Sequence, residues 1–329
     1  MLQRITYGVL LIALIFLLTA LDAVISLASR GGAWWAPLRR GSAIPITLAG
    51  LSLVACLELS NLCRAAGLRP HSRWAALMCL VLVVSPWLAA AGWLGPTSGD
   101  VDGLPWQLIW VFLTIFGTAV LHLTVRSSAE GAVGDITATW GLVLYAGLLP
   151  SFLVVVRCDV SRPGPIGAWL VLIYLLVTKA SDIGAYFVGS LFGRHKLIPR
   201  FSPAKSYEGA FGGVLGSVAA MLALLTFGRW ASGLAAEYAN APAGVIPLRI
   251  VLLGHAGEAL ASLRTTQALV FAVLMSIVGQ VGDLLESILK RSAHAKDSAK
   301  LVPSFGGVLD MVDSVFMTAP VAWLVLWLS

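Results

Sequence analysis

Long apolar runs, separated by short polar segments, follow one another along almost the whole chain. Most of these runs are close to the ~20 residues that an α-helix needs to cross the hydrocarbon core of a bilayer. The pattern therefore predicts an all-α fold, that of a polytopic integral membrane protein with about nine transmembrane helices. The predicted spans are 5–27, 43–63, 74–94, 106–125, 134–156, 165–191, 207–228, 266–289 and 308–328.

The composition of the chain supports the membrane assignment. Hydrophobic residues make up 58% of the 329 positions, charged residues make up only 12%, and the mean hydropathy is +0.89. These values exclude an ordinary soluble domain. The four cysteines show no CxxC spacing, so we expect neither a disulfide bond nor a zinc site. The first apolar run is long enough to be a retained helix rather than a signal peptide.

Basic residues are concentrated in three loops, which follow the second, sixth and eighth predicted helices at 63–74, 192–206 and 290–300. Because loops rich in lysine and arginine face the cytoplasm, the pattern predicts a cytoplasmic N-terminus and a cytoplasmic position for all three. The segment 29–41 is an exception, since its three arginines fall on the predicted outer side. The net charge of +6 fits basic loops beside anionic lipid.

The distribution of polar residues divides the chain into two regions. Residues 1–160 are predicted to form transmembrane helices with little chemistry, and residues 161–329 a catalytic transmembrane region. In the first region Asp22, Glu58 and Asn61 lie within or near the ends of apolar helices. Interhelical hydrogen bonds or interface contacts are the favoured interpretation for these residues.

The most charged part of the second region is the stretch 279–314, which is enclosed by apolar runs. Asp283, Glu286, Ser287 and Lys290 are spaced at i, i+3, i+4 and i+7, so a helix places them on one face. Ionisable groups within apolar helices are costly, and they therefore favour a functional interpretation.

Two further carboxylates, Asp310 and Asp313, are three positions apart and share one face of the next predicted helix. The pair Gly306 and Gly307 permits a tight turn just before them. Carboxylates from two helices, with basic residues between them, suit a metal ion and a polyanionic ligand. The alternative is a cytoplasmic basic loop flanked by buried ion pairs. The basic residues concerned are Lys290, Arg291, Lys296 and Lys300.

A second polar cluster begins in the sixth predicted helix. Lys179 precedes Asp182 by three positions and could pair with it, which would lower the cost of a buried carboxylate. The following segment contains Ser202, Lys205 and Ser206, whose hydroxyl and ammonium groups could bind phosphate. Ser206 also stands where it could N-cap the seventh helix, whose glycines allow close packing.

Both polar stretches resemble motifs of the phosphatidate cytidylyltransferases, also called CDP-diacylglycerol synthases, and the resemblance covers residues 180–314. The first motif is matched at Asp182, Gly184, Ala185, Tyr186, Gly189, Phe192, Gly193, Arg194, Pro199, Ser202, Pro203, Lys205, Glu208 and Gly209. The second motif is matched at Ser287, Leu289, Lys290, Arg291, Lys296, Asp297, Pro303, Gly306, Gly307, Asp310 and Asp313. The chain departs from the motifs at Ala204, Ala299, Phe305 and Met311, where the family has lysine, glycine, histidine and arginine. Ser206 replaces a threonine and keeps the hydroxyl group.

The resemblance implies that CTP and phosphatidate react to give CDP-diacylglycerol and pyrophosphate, at a site on the cytoplasmic side of a bacterial inner membrane. It implies Mg²⁺ as cofactor and allows a second cation, monovalent or divalent. It also implies contact with membrane lipid and no nucleic-acid partner, and it allows a homodimer. The implied catalytic residues are Asp283, Asp310, Lys290 and Arg291, and the implied metal ligands are Asp283, Asp310 and Asp313. The implied substrate-binding residues are Asp182, Ser202, Lys205, Ser206, Lys296 and Asp297.

Two other kinds of function stay open on the sequence alone. One is a related lipid- or polyprenol-phosphate nucleotidyltransferase or kinase on the same scaffold. The other is a transporter or a non-catalytic homologue, and in a transporter Asp182 and Asp283 would belong to a cation pathway. A transporter commonly has two related halves with paired broken helices, whereas here the polar chemistry is confined to the second half.

Overall fold

The computed structural model describes residues 2–28, 41–94, 104–126, 129–159, 165–199, 202–239, 248–261, 263–299 and 306–328. Within these residues the chain forms ten helices and one β-hairpin. The helices are α1 (Leu2–Ala28), α2 (Ala43–Ala65), α3 (Ser72–Ala90), α4 (Leu104–Val125), α5 (Ala132–Cys158), α6 (Ile166–Phe192), α7 (Tyr207–Ala239), α8 (Leu248–Ala261), α9 (Thr265–Ser292) and α10 (Leu309–Trp327). The hairpin strands, β1 (Lys196–Ile198) and β2 (Ser202–Ser206), lie between α6 and α7.

The helix lengths confirm the predicted all-α membrane architecture. Among the described helices, eight are long and apolar enough to cross a membrane, namely α2 to α7, α9 and α10. The first helix contributes a shorter apolar segment, Ile12–Ala28, so each of the nine predicted spans coincides with a helix. The additional helix, α8, has only 14 residues and packs against α6 and α7.

Helix α5 contains one π-helical turn, Leu144–Leu148, which is followed by Pro150. Because proline has no backbone N–H, Pro150 cannot donate to the carbonyl of Ala146 as a regular α-helix would require. The hydroxyl of Ser52 on α2 donates to that carbonyl instead. A backbone acceptor inside the apolar bundle is thereby satisfied, and leaving it unpaired there would be costly.

Helices α6 and α7 pack closely through their glycines, in agreement with the sequence. A Cβ atom added at Gly184 would overlap the carbonyl oxygen of Gly212, and one at Gly216 would lie 2.6 Å from the carbonyl oxygen of Ala180. Small residues allow helix backbones to approach each other, which gains van der Waals contact between membrane helices. This pairing fixes α6, which carries Asp182, against the helix that follows the hairpin.

The hairpin occupies a segment that the sequence indicated only as a loop broken by prolines. Its strands are antiparallel, with Lys196 opposite Ser206. The Ser206 hydroxyl accepts the backbone N–H of Gly209 at 3.1 Å, which confirms the predicted N-cap of α7. Glu208 accepts the backbone N–H of His195 at 3.2 Å and contacts its ring Nδ1 atom at 2.6 Å. These bonds join the base of the hairpin to the start of α7.

Buried polar residues also join helices in the first half of the chain. Asp22 on α1 is fully buried and pairs with Arg157 at the end of α5. Its other carboxylate oxygen accepts the backbone N–H of Ile44 at 3.0 Å. These bonds satisfy a charge that would otherwise be costly to bury, and they agree with the interhelical interpretation of Asp22.

Candidate active site

Three carboxylates meet between α9 and α10. Asp283 and Glu286 lie one turn apart on α9, Asp313 lies on α10, and one oxygen atom from each is within 4.8 Å of the others. Gly282 permits this approach, because a Cβ atom there would lie 3.1 Å from the carbonyl oxygen of Asp313. We call this group of three residues the acidic cluster.

The donor atoms of the acidic cluster suit a metal ion. Glu286 and Asp313 are 1% and 5% exposed, and within the described part of the chain the Oε1 atom of Glu286 has no hydrogen-bond partner. A buried carboxyl oxygen without a partner is costly, and a cation would satisfy it. Since carboxylate oxygens are the ligands that hard divalent cations prefer, the acidic cluster can hold a metal ion.

Asp310, a predicted ligand, lies next to the acidic cluster rather than within it. The ammonium group of Lys290 bridges the two, at 2.6 Å from Glu286 Oε2 and 2.7 Å from Asp310 Oδ1. The other oxygen of Asp310 accepts the backbone N–H groups of Ser298 at 3.0 Å and Gly307 at 2.8 Å. Asp310 thus contacts both the basic end of α9 and the segment that leads into α10.

Asp182 on α6 is connected to the acidic cluster through Lys179 and Ser314. It pairs with Lys179 at 2.9 Å, as the sequence predicted, and Lys179 also donates to the Ser314 hydroxyl at 3.1 Å. The backbone N–H of Ser314 in turn donates to Asp313 at 2.6 Å. These contacts connect α6 to the acidic cluster through the first turns of α10.

The hairpin reaches the acidic cluster through Lys205. Its ammonium group lies 2.6 Å from Asp283 Oδ2 and 3.4 Å from the backbone carbonyl of Gln280. The side chains of Asp283 and Asp182 are still 46% and 38% exposed, although both belong to membrane-spanning helices. A charged group at such a position needs a polar surrounding, so we expect water or lipid headgroups rather than hydrocarbon beside these two carboxylates.

The other predicted site residues lie at the edge of this arrangement. Arg291, Lys296 and Asp297 are exposed at the end of α9 and in the following segment, and Ser202 is half-buried in β2. Of the acidic residues predicted for the site, Asp182, Asp297 and Asp310 are outside the acidic cluster. Three residues named in the sequence analysis, Lys300, Pro303 and Phe305, lie outside the described residues.

The structure places further polar residues at the candidate site that were not predicted as part of it. Glu286 was recognised only as sharing a helix face, although its position one turn after Asp283 was a signal for a second ligand from α9. The backbone N–H of Ser298 donates to Asp310, and that of Ser314 donates to Asp313. The Ser314 hydroxyl also accepts from Lys179, the partner of Asp182 on α6. No local pattern marks such contacts, because they depend on how distant segments pack.

The whole chain matches a known protein family. Residues 2–329 match the family model described as "Cytidylyltransferase family". The chain belongs to the cytidylyltransferase family. Membership extends through the first half of the chain, which the motif resemblance alone did not reach.

Named relatives of this cytidylyltransferase come from several bacteria. It is 31% identical over 280 residues to the phosphatidate cytidylyltransferase of Chlamydia pneumoniae, which covers 84% of this chain and 80% of that protein. It is 34% identical over 220 residues to the phosphatidate cytidylyltransferase of Brucella suis, covering 66% of this chain and 65% of that one. A third relative, the uncharacterized protein YnbB of Escherichia coli, is 36% identical over 155 residues, which is 47% of this chain and 41% of that protein.

Proposed function

We propose that this cytidylyltransferase transfers the cytidylyl group of CTP to phosphatidate, giving CDP-diacylglycerol and pyrophosphate. The observation that carries the proposal is the acidic cluster, in which Asp283 is 46% exposed and contacts Lys205 while the buried Glu286 contacts Lys290. A site of this kind can bring together a polyphosphate from water and a phosphate headgroup from the leaflet. The relatives named phosphatidate cytidylyltransferase support the choice of substrates.

The proposed reaction exchanges one phosphoanhydride bond for another. An oxygen atom of the phosphatidate phosphate attacks the α-phosphorus of CTP and forms a new P–O bond. The bond from that phosphorus to the bridging oxygen breaks, and pyrophosphate leaves with the electron pair. Because the attacking oxygen is already anionic, the site needs no strong general base. The main barrier is repulsion between two anions, so positioning and charge neutralisation supply the catalysis.

A divalent cation held by Asp283, Glu286 and Asp313 would neutralise phosphate charge and orient the α-phosphate. We propose Mg²⁺, since a few carboxylate oxygens together with phosphate oxygens satisfy its coordination. Asp310, which meets Glu286 through Lys290, remains a predicted ligand on the strength of the family motif. A second cation stays a prediction.

Lysines around the acidic cluster would bind the phosphates. Lys205 and Lys290 each contact a carboxylate at 2.6 Å, so each holds its ammonium group within reach of a phosphate bound beside the cluster. Arg291 and Lys296 are exposed and could meet the distal phosphates or the lipid headgroup. Ammonium and guanidinium groups form charge-assisted bonds to phosphate, which are among the strongest available to a protein.

We further propose that the site faces the cytoplasm of a bacterial inner membrane. The hairpin and the segment after α9 are two of the basic loops for which the lysine and arginine excess predicts a cytoplasmic position. CTP would reach the site from the cytoplasm, and phosphatidate would enter from the adjoining leaflet. The bacterial relatives agree with this location.

The acceptor can be tested with purified protein in detergent, Mg²⁺ and CTP labelled in the cytidine. We expect label in the lipid phase with phosphatidate, and none with diacylglycerol or a polyprenol phosphate. Label only on the polyprenol phosphate would show that the acceptor is wrong. In a parallel reaction with CTP labelled in the γ-phosphate, label in diacylglycerol would indicate a kinase. Absence of label from lipid in both reactions would indicate a non-catalytic homologue.

A further inference from the structure

Glu58 lies on α2, in the half of the chain for which little chemistry was predicted, yet it contacts the segment that leads into α10. Its Oε1 atom accepts the backbone N–H of Val308 at 2.9 Å, and its Oε2 atom accepts that of Leu309 at 2.8 Å. The hydroxyl of Ser298 donates to the same Oε2 atom at 2.8 Å. Glu58 is only 4% exposed, so these bonds are sheltered from water.

These contacts match what the start of α10 requires. The first N–H groups of a helix have no acceptor within the helix, and a carboxylate is favoured there by the helix dipole. Glu58 supplies this carboxylate from another helix. Gly307 has no room for a side chain, because a Cβ atom there would overlap Glu58 Oε2 and the Ser298 hydroxyl. The segment is therefore fitted closely around the Glu58 carboxylate.

The same segment is bound on its other side by a predicted catalytic residue. Asp310 accepts the backbone N–H of Ser298 at 3.0 Å and that of Gly307 at 2.8 Å, and it contacts Lys290 at 2.7 Å. Lys290 in turn contacts Glu286 of the acidic cluster at 2.6 Å. A continuous series of bonds thus runs from Glu58 to the candidate metal site.

We propose that Glu58 is a positioning residue, which holds Ser298 and the described residues 306–310 so that Asp310 and Lys290 face the acidic cluster. The kinetic effect expected of this residue rests on the proposed function. If Glu58 served only to hold helices together, its loss would lower stability without changing how the folded protein binds metal and nucleotide. If it positions the site, the folded variant binds both more weakly.

The test compares Glu58→Gln with a matched control, Asp135→Asn. Asp135 is also a buried carboxylate, 8% exposed, and it accepts the backbone N–H of Arg69 at 2.6 Å in a different loop. Both changes replace a carboxylate by an amide of the same shape. In Glu58→Gln the amide NH₂ must face one of three N–H or O–H donors, so at least one bond to the carboxylate is lost.

We expect Glu58→Gln to raise the KM for CTP or the Mg²⁺ concentration for half-maximal rate by about tenfold, with a smaller change in kcat at saturation. Hydrogen exchange should become faster in the peptide containing Val308 and Leu309. The control should leave the kinetic constants unchanged and speed exchange only near Arg69.

Unchanged exchange at 306–309 in Glu58→Gln would overturn the proposal, and so would faster exchange with unaltered KM and Mg²⁺ dependence. If the parent protein made no CDP-lipid, the proposed function would fail separately. The proposal on Glu58 would then be decided by the exchange and by a Mg²⁺ titration of thermal unfolding. If stabilisation by Mg²⁺ is half-maximal at a higher Mg²⁺ concentration in Glu58→Gln than in the parent, the result would support the proposal. Equal half-maximal concentrations would contradict it.

Discussion

Replacement of Asp283 by asparagine separates the catalytic from the structural part of the acidic cluster. The change removes one charge and keeps the size of the side chain. It ends the ion pair with Lys205, whose ammonium group lies 2.6 Å away, and it relieves repulsion from Glu286 and Asp313, whose oxygen atoms lie within 4.8 Å.

These two effects on stability nearly cancel. At an effective dielectric constant of about 20, the lost attraction to Lys205 is about 6 kcal/mol, and the relieved repulsion is at least about 3 kcal/mol from each of the two carboxylates when both are ionised. The Asp283 side chain is 46% exposed, so solvent screening reduces both terms. We therefore expect the free energy of unfolding to change by no more than about 1 kcal/mol.

The effect on the reaction should be much larger than the effect on stability. A metal ion contributes several kcal/mol of transition-state stabilisation, so losing one anionic ligand should lower kcat/KM at fixed Mg²⁺ by about a hundredfold or more. The assay is Mg²⁺-dependent CDP-lipid formation in detergent, together with thermal unfolding followed by tryptophan fluorescence.

Glu258→Gln on α8 is the matched control for this variant. Its carboxylate is 59% exposed and contacts His255 at 3.0 Å, so the replacement removes a comparable half-exposed charge. The control should keep the rate of the parent. A folded Asp283→Asn protein that retained most of the parent's activity would refute the role assigned to the acidic cluster.

Three further predictions concern the rest of the site. Asp310→Asn should remove nearly all activity in a protein that stays monodisperse, because it takes a charge from the network that joins the last loop to α9; a folded and active variant would argue against the family-derived role. Lys205→Met should raise the KM for CTP by roughly ten- to a hundredfold, since one charge-assisted bond to phosphate is lost, whereas Lys196→Met, at an exposed position of β1, should not. Single cysteines at Lys296 and Trp93, each in a cysteine-free background, can be probed on intact cells with an impermeant thiol reagent. The distribution of loop charge predicts that the cysteine at Lys296 is cytoplasmic and does not react, and that the one at Trp93 is outside and reacts. The reverse pattern would overturn the orientation.

The sequence was a good guide to the fold where a physical rule acts on a single segment. Helix lengths follow from the thickness of the bilayer, so all nine predicted spans coincide with helices. Helix α8 was not predicted, because its 14 residues are too few to span the membrane and its burial comes from packing on α6 and α7. The hairpin was not predicted either, since Pro199 and Pro203 indicate the end of a helix without indicating a paired strand.

The candidate site was likewise predictable only for residues that are close together in the sequence. Helical spacing placed Asp283 with Glu286, and Asp310 with Asp313, on common faces, but it could not show which carboxylate of α10 joins those of α9. The packing of α10 at Gly282 brings Asp313 into the acidic cluster, while Asp310 binds Lys290 of α9 and two loop amides.

Glu58 was beyond the reach of sequence patterns for a related reason. Its partner Ser298 is 240 positions away along the chain, and no local spacing relates the two residues. The interhelical hydrogen bonding expected of Glu58 is confirmed. Only the folded structure shows that Glu58 lies next to the candidate site.

The most direct test of the central claim follows the phosphorus atoms of CTP. The purified protein would be incubated with phosphatidate and Mg²⁺, using CTP labelled in either the α- or the γ-phosphate. Cytidylyl transfer predicts that the α-label enters the lipid phase while the γ-label appears in pyrophosphate in equal amount. Entry of the γ-label into lipid, or of neither label, would contradict the account.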